Sequence, residues 1–110
     1  MEKLLVTFKI MLKSSQGPGN YGPGIDKLIR EVGKTGSLNK ASKAMDMSYS
    51  KAWKLVNKTE EMLGFEIIER HPGAKGSELT KDGKKLLSYY EAIETRVQDA
   101  IKEVRLDFEF

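Results

Sequence analysis

Between Ser37 and Lys58 the chain gathers side chains that donate hydrogen bonds: Ser37, Asn39, Lys40, Lys43, Ser48, Tyr49, Ser50, Lys51, Lys54, Asn57 and Lys58. Hydroxyls, amides and ammonium groups are what phosphate oxygens and the acceptor edges of bases take up, so the chemistry on offer is recognition of a nucleic acid. From Leu38 to Lys58 five lysines stand against Asp46 alone. A second basic stretch sets Arg70, Lys75, Lys81, Lys84 and Lys85 against Glu78 and Asp82. From Leu86 onward the balance reverses, with Arg96, Lys102 and Arg105 outnumbered by Glu91, Glu94, Asp99, Glu103, Asp107 and Glu109. The whole chain has 19 Lys+Arg and 16 Asp+Glu, a formal net charge of +3 that hides this polarisation. The distribution of charge, rather than its sum, says where a polyanion would dock. A lysine-rich helix face is by itself more often a solvated surface; what separates the two readings is the architecture on which it sits.

Other chemistries find no complete set of groups. The absence of cysteine removes disulfides, thiolate metal sites and a cysteine nucleophile together. The one histidine, His71 beside Pro72, has no cysteine or second histidine with which to complete a zinc site. Glu60, Glu61, Glu66 and Glu69 have neither a nucleophile nor a metal nearby and read as surface charges. Gly33-Lys34-Thr35 resembles the end of a phosphate loop, but the full spacing needs glycine where Leu28 stands, and the triplet falls at the end of a helix. No enzyme, cofactor or metal is therefore expected.

The elements that must position these donors follow from periodicity. Leu4, Val6, Phe8, Ile10 and Leu12 alternate with polar and mixed residues, as in a half-buried strand. Ser14–Gly24, with four glycines and two prolines, is loop. Ile25, Leu28, Ile29 and Val32 recur at helical spacing until Gly33 or Gly36. Ser37 is placed to cap a short helix reaching Met45, with Leu38, Ala41, Ala44 and Met45 inward. After a tight break at Asp46-Met47, Ser48 caps a second helix whose stripe is Ala52, Val56, Thr59 and Leu63, stopped by Gly64. Trp53 lies beside that stripe and reads as packing rather than base stacking. Phe65–Arg70 and Ser77–Leu79 make a hairpin around Pro72–Gly76, and Thr80 caps a last helix reaching about Arg105. The expected fold is mainly α with a small antiparallel sheet: a winged helix-turn-helix over residues 1–85, then a dimerisation helix and tail over residues 86–110 in the same compact unit. A chain of 110 residues, 39% hydrophobic and 32% charged, suits one such unit. It has no apolar run of the ~20 residues that a membrane helix needs, and its start lacks a signal peptide's apolar stretch of about 7–15 residues, so a cytoplasmic protein is expected.

Two strings carry a resemblance. Thr35-Gly36-Ser37-Leu38-Asn39-Lys40-Ala41-Ser42-Lys43-Ala44-Met45 and Met47-Ser48-Tyr49-Ser50-Lys51-Ala52-Trp53 are similar to the N-terminal DNA-binding domain of the molybdate-dependent transcriptional regulator (ModE) family, a relative of the LysR-type winged helix. Leu63-Gly64-Phe65-Glu66, Glu69-Arg70 and Leu79-Thr80-Lys81-Asp82-Gly83 continue the likeness, which runs from about Val6 to about Tyr90. The resemblance implies a sequence-specific regulator whose Ser48-Tyr49-Ser50-Lys51 helix enters the major groove, whose wing loop with Lys75 touches the flank, and which binds a palindromic operator as a dimer. Family members carry a C-terminal molybdate-binding domain; a sequence ending at Phe110 leaves no room for one, so a regulator without that domain is expected. The wing loop Pro72–Gly76 is also shorter than the family's glycine run.

Along the last helix Leu86, Tyr90, Ile93, Val97, Ala100 and Val104 step by four and three, a seam suited to a second copy of the chain. About 25 helical residues span ~38 Å, more than a domain of this size can cover. The competing reading is a protein-interaction module, with Asp107-Phe108-Glu109-Phe110 as the feature offered to a protein partner.

Overall fold

The computed structural model describes residues 4–69 and 76–105. Lys75, His71 and the tail Asp107–Phe110, all singled out above, lie outside the described residues. Four helices follow one another: α1 (Pro23–Thr35), α2 (Leu38–Ala44), α3 (Tyr49–Leu63) and α4 (Lys81–Arg105). Pro23 opens α1, where the missing N–H costs nothing. Gly36 closes it in the left-handed region at φ 68°. Ser37 Oγ accepts from the Lys40 N–H and Ser48 Oγ from the Lys51 N–H, the two caps expected from the sequence. Thr80 Oγ1 accepts from the Gly83 N–H at 2.9 Å at the start of α4. Asp46 takes the left-handed conformation (φ 54°) in the turn between α2 and α3, a conformation aspartate tolerates better than most side chains. No helix among the described residues is long and apolar enough to cross a membrane.

The expected sheet is not formed among the described residues and reduces to two isolated antiparallel bridges, Leu12 with Tyr21 and Ile68 with Leu79. A strand needs a hydrogen-bonding neighbour along its length, and among the described residues 4–11 find none: Ile10 instead meets α4, where Tyr90 Oη donates to its carbonyl at 2.8 Å. The alternation survives as exposure, with Phe8, Ile10 and Leu12 half-buried while Thr7, Lys9, Met11 and Lys13 are exposed. Leu4 and Val6, expected inward, are exposed because they run past the core.

The core lies between α1, α2, α3 and the first turns of α4. Leu28, Ile29, Val32, Leu38, Ala41, Ala52, Val56, Met62, Ile67, Ile68 and Tyr90 are fully or almost fully buried in it. Two inward assignments change. Ala44 is exposed, and Ser42 is buried in its stead with its hydroxyl donating to the Asn39 carbonyl at 2.8 Å. On α3 Met62 takes the buried place expected of Leu63, which is only half-buried. The seam of α4 also divides: Leu86 and Tyr90 are buried in the chain's own core, Ile93 and Val97 are half-buried, and Ala100 and Val104 are exposed. Leu86 and Tyr90, placed in the seam from the sequence, thus belong to the core of the single chain.

A polar network that periodicity does not reveal ties α1 to α4. Asp26, 5% exposed, accepts from Tyr21 Oη and from Arg30 Nε, both at 2.6 Å. The Arg30 guanidinium reaches on toward Glu91 at 3.5 Å and Glu94 at 3.8 Å on α4. Tyr21 and Tyr90 meet edge to face with ring centres 5.3 Å apart. Burial, reinforced by its bond to Asp26, raises the Tyr21 hydroxyl far above the usual tyrosine pKa. Burial raises Tyr90 as well.

Candidate nucleic-acid interface

α2 and α3 pack on one another around a turn closed by the Met47 N–H donating to the Ser42 carbonyl at 3.0 Å. This is the helix–turn–helix expected from the sequence. Its inner side is apolar apart from Ser42 and Thr59, whose hydroxyls bond to backbone carbonyls, so its lysines have only the outside to occupy. Asn39, Lys40 and Lys43 on α2, and Ser48, Tyr49, Ser50, Lys51, Lys54, Asn57 and Lys58 at and along α3, are all exposed, and Ser37 is half-exposed.

Spacing sorts them. Ser50, Lys54, Asn57 and Lys58 stand at i, i+4, i+7 and i+8, on the side of α3 opposite Ala52, Val56 and Thr59. Lys51 flanks them, and Tyr49 sits at the start of the helix. The cap serines serve twice: an oxygen that accepts a backbone N–H at 3.1 Å (Ser37) or 3.2 Å (Ser48) keeps its own O–H free to donate outward. Tyr49 stands edge to face with Trp53, ring centres 6.3 Å apart, so the half-buried indole braces an exposed phenol at the mouth of the helix. Among the described residues, no ion pair occupies Lys40, Lys43, Lys51, Lys54 or Lys58. Their ammonium groups are available to an outside anion. The stem of Lys58 lies beside Gly19 of the glycine-rich loop, whose φ of 107° suits glycine alone.

Behind this face the base of the wing is fixed on both sides. Glu60, read from the sequence as a surface charge, is half-buried, and its Oε2 accepts from the Ile67 N–H at 2.6 Å and the Ile68 N–H at 3.3 Å. The outgoing arm of the wing is thereby held to α3. Thr80 Oγ1 donates to the Glu66 carbonyl at 2.6 Å, and the Thr80 N–H donates to the Ile67 carbonyl at 2.8 Å. Sequence reasoning missed Glu60 because its partners are backbone groups seven and eight residues on, beyond a helix end, which no side-chain pattern announces.

Comparison with known proteins agrees with this geometry. A family model described as bacterial regulatory helix-turn-helix protein, lysR family, matches residues 27–84. The molybdenum-pterin-binding protein MopB of Rhodobacter capsulatus is 36% identical over 73 residues, covering 64% of this chain and 27% of that protein. The transcriptional regulator ModE of Yersinia pestis is 26% identical over 108 residues, covering 96% of this chain and 39% of that protein. The DNA-binding transcriptional dual regulator ModE of Escherichia coli (strain K12) is 26% identical over 94 residues, covering 83% and 34%. The chain thus spans well under half the length of these relatives. Among solved structures, the crystal structure of a CbnR_DBD–DNA complex superposes with a TM-score of 0.59 at 23% identity, covering 74% of this chain and 92% of that one. At that identity the likeness is one of fold.

Proposed function

Because the chain belongs to the lysR family of bacterial regulatory helix-turn-helix proteins, we propose that it binds double-stranded DNA as a homodimer on a palindromic operator, as part of a transcriptional regulator of the ModE type. In this reading the N-terminal half of α3 enters the major groove. Tyr49, Ser50 and Lys51 reach base edges there, while Ser37, Asn39, Lys40, Lys43, Ser48, Lys54, Asn57 and Lys58 engage the backbone on either side and Lys75 engages the flank. The α4 seam from Ile93 to Val104 joins two copies, placing their recognition helices one helical turn of DNA apart, ~34–36 Å, or a multiple of it. The observation that carries the reading is the exposed face of α3, where hydroxyl, amide and ammonium donors line the side opposite the core stripe.

Electrophoretic retardation of fragments selected from genomic or random DNA tests it. With about six to eight phosphates neutralised per dimer, log K falls with log salt at a slope of about −5 to −7. Lys54→Ala weakens all sequences alike and makes the slope shallower by about one unit per subunit, whereas Ser50→Ala or Lys51→Ala changes which sequences are preferred. Retardation that is absent, or independent of salt, overturns the reading.

A further inference from the structure

The Gly33-Lys34-Thr35-Gly36 segment, which ends α1 and has no nucleotide-binding context, meets the returning arm of the wing at three successive points. Leu79, 8% exposed, packs against Gly33: a Cβ there would lie 3.3 Å from Leu79 Cδ1. Ser77 donates its backbone N–H to the Gly36 carbonyl at 2.7 Å, and its Oγ accepts from the Leu38 N–H at 3.3 Å, the first amide of α2. Gly76 crosses the same carbonyl so closely that a Cβ on it would lie 2.5 Å from the Gly36 oxygen, and its φ of 86° is itself one that side chains avoid. The contact is backbone on backbone, so no flexible side chain can yield to make room. Meanwhile Ser37 Oγ takes the Lys40 N–H. The first turn of α2 is therefore capped by one serine of its own and by a second serine 39 residues beyond Leu38, whose N–H it accepts.

We propose that the Gly33–Gly36 turn is the seat of the wing's returning arm, and that Gly76 and Ser77 are positioning residues which lock this arm to α2 so that it meets DNA together with the helix–turn–helix. Glu60 holds the outgoing arm to α3, and Ser77 supplies the returning arm's own tie to the start of α2. Contact with the flank of a site is profitable only if the wing arrives already placed; an arm that must be ordered on binding gives back its contacts as lost conformational freedom. This inference rests on the DNA-binding reading above.

The test uses the full chain and two duplex probes derived from fragments that the wild-type protein selects, one with the flanks of the site and one trimmed to the segment under α3. Wild type binds the flanked probe more tightly than the trimmed one. Ser77→Ala binds the trimmed probe as wild type does, with unchanged far-ultraviolet circular dichroism, but loses about fivefold on the flanked probe, the size carried by one such hydrogen bond. Ser77→Thr, which keeps the acceptor oxygen, restores the flank effect. Gly76→Ala, which pushes the arm off the Gly36 carbonyl, reproduces the loss through a different contact. Equal flank effects in wild type, Ser77→Ala and Gly76→Ala overturn the seat while leaving DNA binding intact. Failure of the wild-type protein to retain any duplex overturns the DNA-binding reading itself, a result distinct from the first.

Discussion

Asp26 is a buried carboxylate whose two oxygens are satisfied by Tyr21 and Arg30, and it shows what single residues contribute beyond the docking face. Replacing Tyr21 by Phe keeps the ring against Tyr90 but removes the donor, leaving one carboxylate oxygen buried without its partner. A hydrogen bond to a charged acceptor is worth about 1.5–3 kcal/mol, so Tyr21→Phe lowers the unfolding free energy by that order in urea titration at neutral pH. The pH dependence has a definite sign. The folded-state pKa of Tyr21 lies above its unfolded value, so its contribution is complete below about pH 10, the ordinary tyrosine value, and is lost progressively as pH rises past it. Stability measured above pH 10 therefore falls less steeply in Tyr21→Phe than in wild type, the remaining slope including the raised Tyr90. None of this network could be read from periodicity, because Tyr21 sits in a glycine-rich loop and its significance depends on an aspartate and a second tyrosine that only the fold brings to it. The exposure of the candidate donors was legible for the opposite reason: they lie within one helical hairpin, where sequence spacing alone sets the face.

At the scale of elements, α3 is delimited by signals that the chain carries locally, Ser48 at one end and Gly64 at the other. Gly64 has φ 83°, and a Cβ added there would also meet the Gln16 side-chain amide. The glutamine is flexible and can move aside, so the lasting cost of Gly64→Ala is conformational, about 1 kcal/mol. For a domain of this size that lowers the melting temperature by roughly 4–8 °C. The salt slope of DNA binding should not move, since Gly64 caps the helix end remote from Ser48, Tyr49 and Ser50; calorimetry and retardation on the same variant check both halves. The first segment illustrates where local signals stop. Alternation from Leu4 to Leu12 correctly marks Phe8, Ile10 and Leu12 as the inward face, yet alternation is a statement about burial and is silent about pairing. The backbone of Ile10 is met by a tyrosine of α4, so an extended arm stands where a strand was expected. The pairing of Ile68 with Leu79 was similarly legible as the base of a hairpin, while its attachment was not, because Ser77 and Glu60 act through backbone groups distant in sequence.

At the scale of the whole molecule, the decisive feature is how far α4 outruns the rest. The chain measures 58 × 30 × 22 Å, and the 25 residues of α4 account for ~38 Å of helix. Its N-terminal half belongs to the core through Leu86 and Tyr90, and Arg30 bonds it toward α1 through Glu91 and Glu94. Its distal half presents Ala100 and Val104 to solvent, with Val104 74% exposed. The two halves thus fail differently when mutated. Leu86→Ala removes a buried side chain and costs about 2–5 kcal/mol of fold stability. Val104→Glu leaves the fold's stability within about 0.5 kcal/mol, because little is packed there in the single chain. If the distal seam joins two copies, Val104→Glu places like charges across the two-fold axis and desolvates them, shifting the protein to monomer in analytical ultracentrifugation. A monomer still has its recognition helix, so it retains binding to a probe with one half-site while losing the tighter binding to a probe with two. Unchanged sedimentation together with unchanged preference for the two-half-site probe would move the interface away from this end of α4. The salt slope supplies an independent count: dissociation into monomers halves the phosphates neutralised per bound unit, taking the slope from about −5 to −7 to about −3.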